Sequence, residues 1–145
     1  MAFYTDIHST KKYRLGTRKR DVAGNEYIYL TGVGSTVAED VVTFDEDFLT
    51  TRLVANAVGP VAVAMAAVDS TSEYGWYQIY GNGVADCATT VSADKSLVIE
   101  GTAGRVDDAD VAGDQIHGMF SRAAGSSNSI EVWLNYPFVA DVAFD

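Results

Sequence analysis

Hydrophobic and polar residues alternate with a period near two along most of this chain, and no segment sustains the i, i+3, i+4, i+7 spacing of a helix over ten residues. The runs YRLGTRK (13–19) and EYIYL (26–30) flank the turn cluster Asp21-Val22-Ala23-Gly24-Asn25, which predicts a β-hairpin. Asp40–Phe44 and Leu49–Val54 read as two short strands around the acidic turn Asp45-Glu46-Asp47. Gly59-Pro60 halts any helix begun in the Ala-rich run before it. Beyond it, Val61, Val63 and Met65 alternate with Ala62, Ala64 and Ala66. Large residues on one face and small ones on the other suit a small barrel or a close sheet-to-sheet contact.

The densest aromatic strand is Tyr74–Tyr80, which Gly81-Asn82-Gly83 is expected to close, with Val84–Thr90 as its hairpin partner. Ser96–Glu100, Gln115–Arg122 and Ser129–Tyr136 follow as strands, the last two parted by the flexible turn 124–128. Short strands with Gly-rich turns about every ten residues predict an all-β fold, a compact antiparallel β-barrel or β-sandwich. Residues 1–12 show neither period and read as an extended N-terminal arm on a single β-domain of residues 13–145. At 145 residues the chain has material for one core, and with 48% apolar and 21% charged residues it is not a disordered chain.

Charge changes this picture more than composition does. The net charge is −10, yet residues 1–20 hold six bases (Lys11, Lys12, Arg14, Arg18, Lys19, Arg20) against Asp6 alone, a net +5. Residues 21–145 hold four bases and nineteen acids, a net −15. An acidic body of this kind repels phosphate, so neither nucleic acid nor an anionic membrane is an expected partner. The most membrane-like stretch, Leu53–Val68, is too short and too rich in Ala to span a bilayer.

Candidate chemistry is sparse. His8 lies in the arm and His117 in a strand, where a half-buried structural role outweighs a catalytic one. Cys87 alternates with Ala85 and reads as a small buried hydrophobe. One Cys and two distant His do not make a zinc site, and the clusters 45–47 and 107–110 lack the calcium-loop pattern. Gly32-Val33-Gly34-Ser35-Thr36 lacks the Lys of a phosphate-binding loop. The expectation is a protein that is not an enzyme and uses neither cofactor nor metal. The two faces of the Tyr74–Tyr80 strand cannot both be exposed on a soluble monomer, so Tyr74, Trp76 and Trp133 are either core or interface.

Three stretches, residues 13–36 (YRLGTRKRDVAGNEYIYLTGVGST), 59–81 (GPVAVAMAAVDSTSEYGWYQIYG) and 102–139 (TAGRVDDADVAGDQIHGMFSRAAGSSNSIEVWLNYPFV), resemble small phage head proteins, the capsid decoration or cement family. The resemblance implies a β-domain on the outer surface of an assembled head, often trimeric, that bridges subunits of the major capsid protein after assembly in the host cytoplasm. A receptor- or glycan-binding head-fibre or tail module is the alternative. The family has no fixed set of functional residues, so contact residues are expected from physics alone. They are the bases Lys11, Lys12, Arg14, Arg18, Lys19 and Arg20 meeting carboxylates, with Phe3, Tyr4 and Tyr13 as apolar anchors and Tyr74, Trp76 and Trp133 as aromatic faces. The arm either folds back on its own domain or reaches a neighbour.

Overall fold

A computed structural model describes residues 4–109, 114–125 and 128–140; Phe3 and Asp110 lie outside them. The described residues form strands, turns and irregular segments, with no helix among them. In chain order the strands are β1 (Arg18–Arg20), β2 (Glu26–Thr31), β3 (Val41–Phe44), β4 (Thr50–Arg52), β5 (Gly59–Ala64), β6 (Tyr74–Asp86), β7 (Ser96–Ile99), β8 (Val106–Asp107), β9 (Gln115–Ser121) and β10 (Ser129–Val139). All their ladders are antiparallel. The all-β class read from the alternation is the class observed.

The strands make one ten-stranded sheet in the order β1-β2-β6-β5-β10-β9-β7-β8, with β3 on β5, β4 on β3, and a further pairing of β6 with β10. It does not close into a barrel: β1 and β8 end the path, β8 with only an isolated parallel bridge from Val106 to Cys87 on its outer side. β1 carries three exposed bases, whose charge and desolvation cost oppose further strand pairing, and β8 is only two residues long. The interior strands are nevertheless covered on both faces. In β5, Val61 and Val63 enter the largest core while Ala62 and Ala64 enter a second one. In β2, Ile28 and Leu30 join that second core while Tyr27 and Tyr29 join a third, aromatic one with Trp76. A flat layer cannot bury both faces of its middle strands, so the sheet must curl until its parts and the arm pack on one another.

The β1–β2 hairpin forms where the turn cluster predicts it. Asp21 Oδ1 accepts from the amides of Ala23 (2.9 Å) and Asn25 (3.0 Å), and Gly24 supplies a φ of +88°. One expected hairpin does not form. β6 runs on through Gly81-Asn82-Gly83 to Asp86 and takes β10 as its partner, from Tyr80↔Asn135 to Asp86↔Ser129. The glycines serve close approach instead of a turn: a Cβ on Gly81 would collide with Asn25 Oδ1, and one on Gly83 with the Gln78 side chain. Gln78 Nε2 donates to the carbonyls of Tyr80 and Asn82, both at 3.1 Å, a reach that is possible because β6 bends at Gly81, whose φ is +103°.

β10 also exceeds its predicted span, continuing through Pro137 to Val139. Between the pairs Leu134↔Met119 and Phe138↔His117 it advances four residues while β9 advances two, and within this bulge Tyr136 adopts a φ of +48°. The bulge shifts the phase of alternation. Ile130, Val132 and Leu134 point inward before it, Pro137 and Val139 after it, and Tyr136 and Phe138 are thereby placed outside.

Candidate interaction surfaces and a buried carboxyl pair

The twelve sequence-predicted contact residues separate into three groups. Lys11, Lys12, Arg14, Arg18, Lys19 and Arg20 are all exposed, the last three as the edge strand β1. Arg20 and Arg18 reach Glu26 at 2.9 and 3.6 Å, so part of the arm's charge is answered within its own hairpin. Lys19 sits 4.2 Å from the centroid of the Tyr13 ring and Lys11 5.9 Å from that of Tyr74, which fixes their stems against aromatic faces while leaving the charges in water.

The second group is an aromatic cluster built by the arm on its own domain. Tyr27, Tyr29 and Trp76 share one face of the β2–β6 ladder because Tyr29 pairs directly with Trp76. Tyr4 stacks on Tyr27 (3.9 Å, 18°) and meets Trp76 edge-on (5.6 Å, 81°), and Tyr13 packs on Trp76 (5.2 Å) and Tyr29 (5.3 Å). His8 exchanges both backbone hydrogen bonds with Tyr74 at 2.8 Å, and its Nδ1 lies 2.8 Å from the Tyr29 hydroxyl. Tyr4, Tyr13, Tyr74 and Trp76 therefore contact one another within a single chain, and Trp76 is only 2% exposed. Burial, and then the hydrogen bond to Asp21, push the Tyr27 phenol up to about 12, so Tyr27 carries no phenolate at physiological pH.

The third group was signalled only by Trp133. Trp133 (36% exposed), Tyr136 (42%) and Phe138 (48%) form an outward aromatic row on β10, and Phe120 (40%) lies directly across from Trp133 on β9. Tyr80 meets Trp133 edge-on at 5.5 Å and Tyr136 at 5.2 Å. Phe138 stacks on His117 at 4.9 Å and 21°. The Tyr136 hydroxyl donates to Glu26 Oε1 at 2.9 Å, which ties the bulge to the β1–β2 hairpin. The period-two pattern of Ser129–Tyr136 places Trp133 outward, but Tyr136 and Phe138 are outward only because of the bulge. No local signal besides Pro137 marks it.

A partly buried acidic cluster, with Asp40 at its centre, escaped the sequence reading altogether. Asp40 is 1% exposed; its Oδ2 accepts from Arg52 Nε at 2.8 Å, and its Oδ1 fills the space that a Cβ on Gly104, itself at a φ of +84°, would need. The Asp86 carboxyl, at the end of β6, is pushed up to about 7 by burial first, then by its hydrogen bond to Asp40 and the charges of Asp40 and Glu39, with Arg105 opposing. Asp86 and Asp40 thus titrate as a coupled pair, in which the Asp86 carboxyl is held above the usual carboxylate range. Glu39 accepts from Ser129 Oγ at 2.7 Å, so the cluster joins β3, β4, β6 and β10. Its signal was available only as isolated acids more than forty residues apart. Among the described residues no group of three or more His, Cys, Asp or Glu is placed to hold a metal ion. Cys87 is buried, and that burial raises its thiol pKa, which disfavours the nucleophilic thiolate.

The architecture defines an open-edged, all-antiparallel sheet domain. A solved structure with a similar fold is the head fiber gp8.5 N base in bacteriophage phi29, with a TM-score of 0.56 and 9% identity, covering 82% of this chain and 97% of that one. No protein-family model matches the sequence, and no curated protein matches it.

Proposed function

We propose that this protein is a structural, non-enzymatic component of a phage head, bound to the outer surface of the shell, where it stabilises the head by bridging subunits of the major capsid protein. The observation that carries this reading is the fold shared with the phi29 head-fibre base across nearly all of that chain. Charge supports it. The six bases of residues 11–20 are all exposed; Arg18–Arg20 form the edge strand, and Lys11, Lys19 and Arg20 lie over rings of their own domain. Such an edge is suited to carboxylates on a capsid surface or on a sister subunit of a homotrimer. Individual exposed pairs contribute only about 0–1 kcal/mol, so attachment is collective and weakens with salt.

The test is to mix purified protein with heads that lack it and follow co-sedimentation at rising salt, with cryo-electron microscopy of the decorated particle. Binding to the head exterior that weakens when Lys11, Lys12, Arg14 and Lys19 are changed together to Ala supports the reading. Heads that leave the protein in the supernatant at low salt refute it.

A further inference from the structure

Between the β1–β2 turn and β10 lies a groove of about 600 Å³ that shares only Arg20 with the basic row of the head-attachment reading, lined by Arg20, Asn25, Tyr80, Asn82 and Trp133, with Ala23, Gly24 and Gly81 as its side-chain-poor walls. The volume falls in the range of small-molecule sites, about 300–1,000 Å³. We propose that this groove is a saccharide-binding site that takes an uncharged pyranoside.

The argument rests on the kind and setting of its groups. Tyr80 and Trp133 stand at 68° to one another with centroids 5.5 Å apart, forming an aromatic corner against which the C–H face of a sugar ring packs. Two polar pairs flank that corner and are oriented before any ligand arrives. Asn82 Nδ2 donates to Glu131 Oε1 at 3.0 Å, and Arg20 Nη2 to Glu26 Oε1 at 2.9 Å. Amide, carboxylate and guanidinium together offer both donors and acceptors, which is what vicinal hydroxyls require. Around the corner two guanidiniums, Arg18 and Arg20 on Glu26, are matched by two carboxylates, Glu26 and the Glu131 that holds Asn82, so the setting has no net charge to select a phosphate or sulfate. A Cβ on Gly24 would meet nothing within 4 Å, so the turn side of the groove is open to a ring-sized ligand. Finally, Tyr136, whose hydroxyl is tied to Glu26, packs on Tyr80 at 5.2 Å and supports the corner.

The two tryptophans provide the readout, since Trp76 is 2% exposed and Trp133 36%. Acrylamide quenching of the full-length protein therefore reports mainly on Trp133. The probes are the methyl pyranosides of glucose, galactose, mannose and N-acetylglucosamine, with sodium sulfate and triglycine as controls. We expect saturable protection of Trp133 by at least one pyranoside, with half-saturation at about millimolar concentration, typical of a ligand with few contacts. Asn82→Ala is expected to weaken it about tenfold, the loss of one good polar contact. Trp133→Phe removes the signal, and the perturbed amide resonances of Asn25 and Asn82 then follow binding instead. Protection by none of the four pyranosides overturns the proposal, as does equal or stronger protection by sulfate or triglycine. Co-sedimentation of Asn82→Ala with heads is a separate readout, so failure of the saccharide site and failure of head attachment are distinguishable.

Discussion

Two aromatic surfaces of this protein start from similar sequence and end in opposite environments. Tyr27, Tyr29 and Trp76 on β2 and β6 are at most 5% exposed, whereas Trp133, Tyr136 and Phe138 on β10 are 36–48% exposed. Both sets project from paired strands, and in both a Trp lies beside a Tyr. The difference is a cover. Residues 4–15 lie across the first face with Tyr4, Tyr13 and Leu15, and nothing comparable among the described residues lies across the second. Ring packing on a sheet thus becomes core or surface according to whether a remote segment has somewhere to dock, and a polar counterpart such as the Tyr29 hydroxyl facing His8 helps fix the place.

The sharpest way to break the comparison is to truncate one Trp from each surface. Trp76→Ala removes a ring in contact with Tyr4, Tyr13 and Tyr29 and should cost about 3–5 kcal/mol in urea unfolding. Trp133→Ala should cost less than about 1 kcal/mol. Equal costs would mean that the two surfaces are not differently covered in solution.

Deleting residues 1–12 is expected to have the next largest effect, about 2–3 kcal/mol from the lost Tyr4 packing and the His8–Tyr74 pairing. The β-domain should keep its far-ultraviolet spectrum while Trp76 becomes accessible to acrylamide and its emission shifts to the red. Unchanged quenching of Trp76 would show that the arm is not what shields it.

A smaller effect tests the buried carboxyl pair, which lies away from both aromatic surfaces. The Asp86 pKa is about 7 in the folded protein and near 4 when unfolded, so between those values the native state binds the extra proton. Stability should therefore fall as pH rises from about 4 to about 7 and level off above it, by about 1–2 kcal/mol after allowing for solvent screening. Asp86→Asn keeps a donor toward Asp40 without the charge and should flatten this dependence and raise stability at pH 8. A variant that is less stable than wild type at pH 8 would show that the Asp86 carboxyl is not held above its usual range. The smallest change is expected from Tyr136→Phe, which loses the hydrogen bond to Glu26 at a cost of about 0.5–1.5 kcal/mol and should loosen Arg20 without uncovering either core.

The β-class, the Asp21–Asn25 hairpin and most strand positions were legible in the sequence because each follows from alternation and turn chemistry within about ten residues. The basic edge was legible as well, since Arg18–Arg20 are charged wherever the strand is placed. The carboxyl pair and the groove were not, because Asp40 and Asp86, or Arg20 and Trp133, become neighbours only through strand pairings that join distant parts of the chain.

What the sequence determined by itself is local: a period of two, turns where Asp, Asn and Gly permit positive φ, and a charge reversal near residue 20. What only the tertiary structure decided is which partner each strand found. Gly81-Asn82-Gly83 reads as a turn, yet Asn25 fills the space a Gly81 Cβ would need and β10 supplies the ladder, so β6 continues through it. β10 flips Tyr136 and Phe138 outward because its pairing to β9 slips by a bulge. Tyr27, Tyr29 and Trp76 are core because the arm returns to them. The physical reason is common to all three: a backbone or ring face is satisfied by whatever packs on it, and the packing partner here comes from another part of the chain, β10 for β6, β9 for the β10 bulge, the arm for the aromatic face.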